Sequence, residues 1–325
     1  MRELTNAICA RAKELLQSGA AGRVLGWAPG EFFYDPTPGV FSEGRLNELV
    51  YDGFTAANLS KYCIAESQKE GKVLVLLKPC DSYSLAQLVK EHRVKRENIY
   101  ALGIPCEGKL DMRKARAKGV EGALSFREED GQVVFETLYG EVRLAREELL
   151  LERCLCCRGR EYAGVDETLE YALPELPKRD RFQKVAALEE QTAQERYAFW
   201  RGELSKCIRC NACRNVCPAC SCVQCVFDNP QSGVAAKANS TEFEESLFHI
   251  IRAWHVAGRC TDCGECSRVC PQSIPLHLLN RKFIKDVNEL YGEYQAGADP
   301  AARPPLVNYT PEDPEPSAVL ERGRA

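Results

Sequence analysis

Two stretches of the chain repeat one cysteine spacing. The first is Cys207-Ile-Arg-Cys210-Asn-Ala-Cys213-Arg-Asn-Val-Cys217-Pro218, and the second is Cys260-Thr-Asp-Cys263-Gly-Glu-Cys266-Ser-Arg-Val-Cys270-Pro271. Both read C-x2-C-x2-C-x3-C-P. Three thiolates at a spacing of three fold around one cube of iron and sulfide. The fourth points away and, where two such motifs share a fold, ligates the other cube. The spacing therefore assigns Cys207, Cys210, Cys213 and Cys270 to cluster one. Cluster two takes Cys260, Cys263, Cys266 and Cys217. The competing chemistry, a zinc-stapled interaction module, would use C-x2-C pairs rather than triplets closed by Cys-Pro.

A third thiolate set is more dispersed. Cys80 follows the apolar run Val73–Leu77, within Lys78-Pro79-Cys80-Asp81, and Cys106 lies within Ile104-Pro105-Cys106-Glu107-Gly108. Both stand just past the carboxyl ends of predicted parallel strands, where open α/β sheets place ligands. Cys154-Leu-Cys156-Cys157 adds a C-x2-C pair. Four thiolates from these three segments are enough for a further [4Fe–4S] cluster. Of the remaining cysteines, Cys9 and Cys63 fall on predicted helices and read as core residues. Cys220, Cys222 and Cys225 follow Cys217-Pro218 directly. They read either as ligands of another metal, with Cys156 as the fourth, or as reduced thiols packed beside cluster one. The second reading is simpler, because no complete four-ligand motif is present.

The elements that must position these thiols alternate in type. Residues 2–17 read as an amphipathic helix, Gly26 to Gly39 as a loop, 46–68 as helix, 72–77 as a buried strand, 82–92 as helix and 98–104 as the next strand. Strand, helix, strand implies a βαβ unit and a mostly parallel sheet. The alternating stretch 131–139 reads as a more exposed strand, and 158–180 as a linker. Helices are expected at 185–204, 241–257 and 276–291. The expected organisation is an α/β domain over 1–180, an α-helical 2[4Fe–4S] ferredoxin domain over 181–295, and an extended Pro-rich tail over 296–325.

The 18 cysteines among 325 residues are the compositional outlier, and the net charge of -4 lacks the basic footprint of a nucleic-acid binder. The amino terminus has no apolar leader segment, and no run is long enough to span a bilayer, so membrane insertion is not expected. Thiols grouped for metal rather than for cross-linking place the chain in a reducing cytoplasm, and the cluster load suggests anaerobic metabolism. His92, His249, His255 and His277 show no metal-site spacing, and there is no P-loop, Gly-x-Gly-x-x-Gly fingerprint or nucleophile–base constellation. No catalytic residue is assigned, and an electron relay is expected rather than substrate chemistry. Lys206, Arg209 and Arg214 flank motif one, while Asp262 and Glu265 lie within motif two. Either these charges give cluster one the higher potential, or they are solvated surface charges without effect on it.

The 42 residues between Cys217 and Cys260, with a predicted helix before motif two, resemble the α-helical ferredoxins of succinate dehydrogenase iron–sulfur subunits and heterodisulfide reductase C subunits. Over residues 45–180, Pro-Cys after a strand, a second strand–Cys turn and a later Arg-Cys-x-x-Cys resemble the beta subunits of coenzyme F-420 (deazaflavin)-reducing hydrogenase and formate dehydrogenase. That resemblance implies Cys80, Cys106, Cys154 and Cys157 as ligands of cluster three, beside a flavin (FAD or FMN). Flavin-binding members carry Asp-Gly-Gly at a helix start. Here Asp52 and Gly53, the candidate flavin contacts, are followed by Phe54. The resemblance implies an electron-transfer subunit of a multi-subunit cytoplasmic oxidoreductase. Its partners would be a heterodisulfide-reductase-like flavoprotein, a hydrogenase, a formate dehydrogenase or a methylenetetrahydrofolate reductase. The alternative it implies is a flavin-containing catalytic subunit that exchanges electrons with a soluble carrier such as coenzyme F-420 or ferredoxin.

Overall fold

A computed structural model describes residues 2–157, 161–173, 179–229, 231 and 242–307. The apolar run Val73–Leu77 is β3, and all five side chains are buried. A strand apolar on both faces belongs in the middle of a covered parallel sheet. It pairs in parallel with β1 (Arg23–Ala28) on one side and β4 (Ile99–Gly103) on the other. β2 (Thr37–Phe41) adds an antiparallel edge to β1, and β8 (Glu167–Thr168) a short parallel edge to β4. The order β2-β1-β3-β4-β8 is the expected mostly parallel sheet. The Arg2–Gln17 helix buries Leu4, Ile8, Ala12 and Leu15 in the same core, and the Pro79–Lys90 helix starts directly after β3. A separate antiparallel sheet, β5 (Ala123–Glu129), β6 (Gln132–Thr137) and β7 (Gly140–Ala145), covers a second core around Phe54, Leu110, Phe135 and Leu149.

Several expectations need correction. The stretch 26–39 is not all loop, because its ends lie in β1 and β2. Gly26 and Gly39 pair across them, and a Cβ on Gly26 would stand 3.0 Å from Leu49 and 3.3 Å from Leu76. The glycine leaves room for two core leucines. The stretch 46–68 is not one helix. It holds turns at Glu43–Glu48 and Ser60–Tyr62 and the four-residue helix Cys63–Glu66, joined by buried irregular chain. Core side chains replace the helical hydrogen bonds there: Trp27 Nε1 (3.0 Å) and Lys78 Nζ (2.9 Å) donate to the Ala57 carbonyl, and Arg153 Nη2 (2.6 Å) to that of Ala56. The helix expected at 185–204 is two, Gln183–Glu189 and Ala193–Leu204, the second started by a Thr192/Glu195 capping box.

The expected linker contributes β8 to the sheet. Of the expected tail, 308–325 lies outside the described residues. Its first part rests on the α/β core, where Lys90 Nζ donates to the carbonyls of Asp299 (3.2 Å) and Ala302. The carboxyl-terminal half is helical, with Glu242–Val256 and Leu276–Tyr291 framing motif two.

Candidate metal centres

Motifs one and two have the same local conformation. Arg209 (φ 54°) and Asn211 (φ 62°) flank Cys210 in the left-handed region, and Asp262 (φ 59°) and Gly264 (φ 64°) flank Cys263 in the same way. Three of these four are not glycine, and such strain persists only where the surroundings over-determine it, commonly at ligand sites. The left-handed residues bend each loop tightly around its second cysteine. Short helices, Ala212–Val216 and Glu265–Arg268, then carry Cys213 and Cys266.

Cys207, Cys210, Cys213 and Cys270 line one small cavity, with Phe248, His249 and Leu276 around it. Motif two thus sends its last cysteine to motif one. In the other direction, Cys217 packs with Cys260 of motif two. Hydrogen bonds reach the sulfurs from Arg209 N to Cys207 (3.3 Å) and from Asn280 Nδ2 to Cys266 (3.8 Å). Sequence reasoning missed His249, whose Nε2 lies 3.2 Å from Cys207 Sγ. Burial lowers its pKa to about 3, which leaves the ring neutral. No paired spacing marks such a residue, because it arrives from the facing helix.

A second cavity is lined by Cys80, Cys106, Cys154 and Cys157, together with Cys156, Tyr83 and Arg153. The sheet explains the first two: Cys80 opens the helix after β3, and Cys106 follows β4. The Cys154 segment is pinned beside them by the Leu110–Leu150 bridge, by Leu151 N donating to Lys109 O (2.8 Å) and by Lys109 N donating to Cys154 Sγ (3.3 Å). Cys156 therefore faces this cavity. Cys220, Cys222 and Cys225 line a different, open groove of roughly 870 Å³ with Lys61, Arg252 and Arg259, so the four are not brought together as one ligand set.

Burial pushes the thiols up, Cys207 to about 12 and Cys266 to about 11, and Cys80, Cys154, Cys260 and Cys263 in the same direction. Buried thiols resist ionising unless a cation shares the site, and iron is such a cation. Four cysteines line each of the two cavities, and all-thiolate sets of four are the donors that [4Fe–4S] cubes take.

The Asp52–Gly53 turn is occupied by the protein itself. Asp52 Oδ1 accepts from Phe54 N (2.9 Å) and the Thr55 hydroxyl (3.0 Å), and Lys109 Nζ donates to Asp52 O (2.7 Å). A Cβ on Gly53 would meet Glu128 Oε1 at 2.4 Å, and Phe54 is buried against Phe33, Phe126 and Phe135. Neither residue offers the open backbone a flavin phosphate would need.

The centres are joined by two buried arginines. Arg153 Nη1 donates to Glu265 Oε1 (2.6 Å) and to the Cys263 carbonyl, while its charge acts on Cys80 and Cys154. Arg252 lies among Cys213, Cys217, Cys220 and Cys266. Motif two borders both cavities: Cys270 lines the first, and Thr261 and Asp262 line the second.

A family model described as "4Fe-4S dicluster domain" matches residues 203–274. The chain carries an iron–sulfur dicluster domain. Its likeness to curated proteins runs over nearly its whole length. It is 26% identical to the F420-dependent formate dehydrogenase subunit beta of Methanocaldococcus jannaschii, covering 94% of this chain and 95% of that one. It is 24% identical to the F420-dependent formate dehydrogenase 1 subunit beta of Methanococcus maripaludis, covering 95% of each. Among solved structures, a chain of the F420-reducing [NiFe] hydrogenase complex from Methanosarcina barkeri aligns with a TM-score of 0.39 and 12% identity, over 57% of this chain and 74% of that chain. The resemblance expected for residues 45–180 therefore extends through the dicluster domain. Among the described residues no helix is long and apolar enough to cross a membrane.

Proposed function

We propose that the chain is the electron-transfer subunit of a cytoplasmic oxidoreductase complex, carrying three [4Fe–4S] clusters in file. Cys207, Cys210, Cys213 and Cys270 hold cluster one; Cys260, Cys263, Cys266 and Cys217 hold cluster two; Cys80, Cys106, Cys154 and Cys157 hold cluster three. The observation that supports this reading is that motif two borders both other cavities, through Cys270 on one side and through Thr261 and Asp262 on the other. When bound, such clusters pass one electron at a time. The protein's part is to fix the ligand loops, exclude water and supply N–H donors to sulfur.

Cys210 is exposed, so cluster one is the port toward a partner. That partner is another redox subunit. The names of the relatives favour a formate dehydrogenase over a hydrogenase, a heterodisulfide-reductase-like flavoprotein or a methylenetetrahydrofolate reductase. The relay reading is preferred to a flavin-bearing catalytic subunit because Asp52 and Gly53 are engaged by the protein's own groups.

Iron, acid-labile sulfide and flavin analysis of protein purified without oxygen tests the proposal. About twelve irons and twelve sulfides per chain are expected, without stoichiometric FAD or FMN. Protein free of acid-labile sulfide would refute it, and one flavin per chain would return the catalytic alternative.

A further inference from the structure

Arg252 is a buried cation that the relay does not yet explain. It lies on the Glu242–Val256 helix, and its side chain is 3% exposed. Its Nε and Nη1 are buried, and among the described residues neither finds a hydrogen-bond partner. Two unpaired N–H groups on one buried guanidinium are costly unless an acceptor is supplied. The groups that act on it are thiols: Cys266, which also takes a side-chain hydrogen bond from it, Cys213, Cys217 and the neighbouring Cys220. Cys213 belongs to the cluster-one set, and Cys217 and Cys266 to the cluster-two set. Arg209 shows the contrast: it is also buried near cluster one, but it donates to Glu245 Oε2 (3.2 Å) and to the Glu244 carbonyl. Arg281 likewise spends its charge on Asp262 at 2.8 Å. Among the described residues Arg252 has no such carboxylate.

We infer that Arg252 is a positioning residue shared by clusters one and two, its unpaired N–H groups serving sulfur on both sides and its charge favouring the reduced form of each. This rests on the cluster assignment above. A positive charge held in a low-dielectric interior stabilises the more negative redox state, and N–H donors to sulfur act in the same direction.

The test is an EPR-monitored redox titration of the full chain and of its R252M and R252K variants, with iron and acid-labile sulfide measured on each. R252M is expected to keep its clusters, while the equilibrium constant for one-electron reduction falls at least tenfold, or 59 mV, at both. R252K, which keeps the charge, is expected to hold both constants within threefold of the parent. Unchanged potentials in iron-loaded R252M overturn the inference, and so does a shift confined to one cluster. If R252M does not load iron, R252K decides: a tenfold fall despite the retained charge overturns it. A parent protein without acid-labile sulfide is a different failure, because it removes the clusters themselves.

Discussion

At the second cysteine of each motif the two ferredoxin stretches part company. Cys210 is exposed and Cys263 is buried, although the flanking residues have matching left-handed conformations. The difference lies in what each loop meets. Motif one faces outward, with Ile208 exposed beside it. Motif two is pressed into the α/β half. Arg153 crosses Gly264, where a Cβ would stand 3.1 Å from its side chain, and Asn58 N donates to Glu265 Oε2 at 3.2 Å. The charges differ as well. Lys206, Arg209 and Arg214 each have a carboxylate partner: Glu203, Glu245 and Asp228. In motif two, Arg153 and Arg268 share the single carboxylate of Glu265, and one positive charge is left over. The bare-charge argument for a higher potential at cluster one therefore loses its basis. Loops of matching spacing and backbone become an outer port and an inner junction through their surroundings.

The largest effect should come from removing ligands. C210A and C270A come from different motifs, yet each should cost about four irons, and the double variant should lose no more than either single one. C266A should also cost four irons, but in addition loosen the junction. Hydrogen exchange would then accelerate at residues 56–60 in C266A and stay slow in C210A. The same exchange pattern in both would erase the port–junction distinction.

Much of this was legible in the sequence because ligand spacing is a local property. The meeting of Cys270 with motif one followed from two tight motifs, and the sheet from the strand–helix–strand alternation of residues 72–104. The junction was not legible. Arg153, Glu265 and Arg252 are ordinary charges in the sequence, and only the folded chain brings residue 153 to residue 265. Residues 46–68 misled for the same reason. Their helical composition was overruled by core donors from Trp27, Lys78 and Arg153, which satisfy the backbone in an irregular path.

Next in size is the loss of a buried counter-ion. Glu265 is fully buried between two arginines, so E265Q should destabilise the fold by about 3–5 kcal/mol, since it strands buried charge. Its counterpart at motif one is Asp228, whose side chain is 53% exposed and pairs with Arg214. D228N should cost about 1 kcal/mol or less. Denaturant unfolding of both variants measures the contrast, and equal costs would break it. A smaller effect is expected for R268Q, which removes the surplus charge at motif two. It should lower the reduction constant of cluster two by roughly threefold to tenfold and leave cluster one within error. A redox titration in which cluster one moves as far would place that charge elsewhere.

The smallest effect belongs to an ion pair remote from both motifs. Glu167, on β8, takes two hydrogen bonds from Arg11 (2.7 and 2.8 Å) and one from the Tyr100 hydroxyl (2.8 Å). The Arg11 hydrogen bond holds its carboxyl below the ordinary value. A carboxylate depressed in the folded state stabilises the fold fully above its unfolded pKa of about 4.3. That contribution is lost as pH falls through the lower folded value. Both side chains are about a third exposed, so E167Q should cost only about 0.5–1 kcal/mol at pH 7. The gap between parent and variant should close on acidification towards pH 3. A gap that persists there would mean that Glu167 acts through packing rather than charge. A gap as large as that of E265Q would show that any ion pair tying this chain together matters equally, and motif two would then have no special standing as a junction.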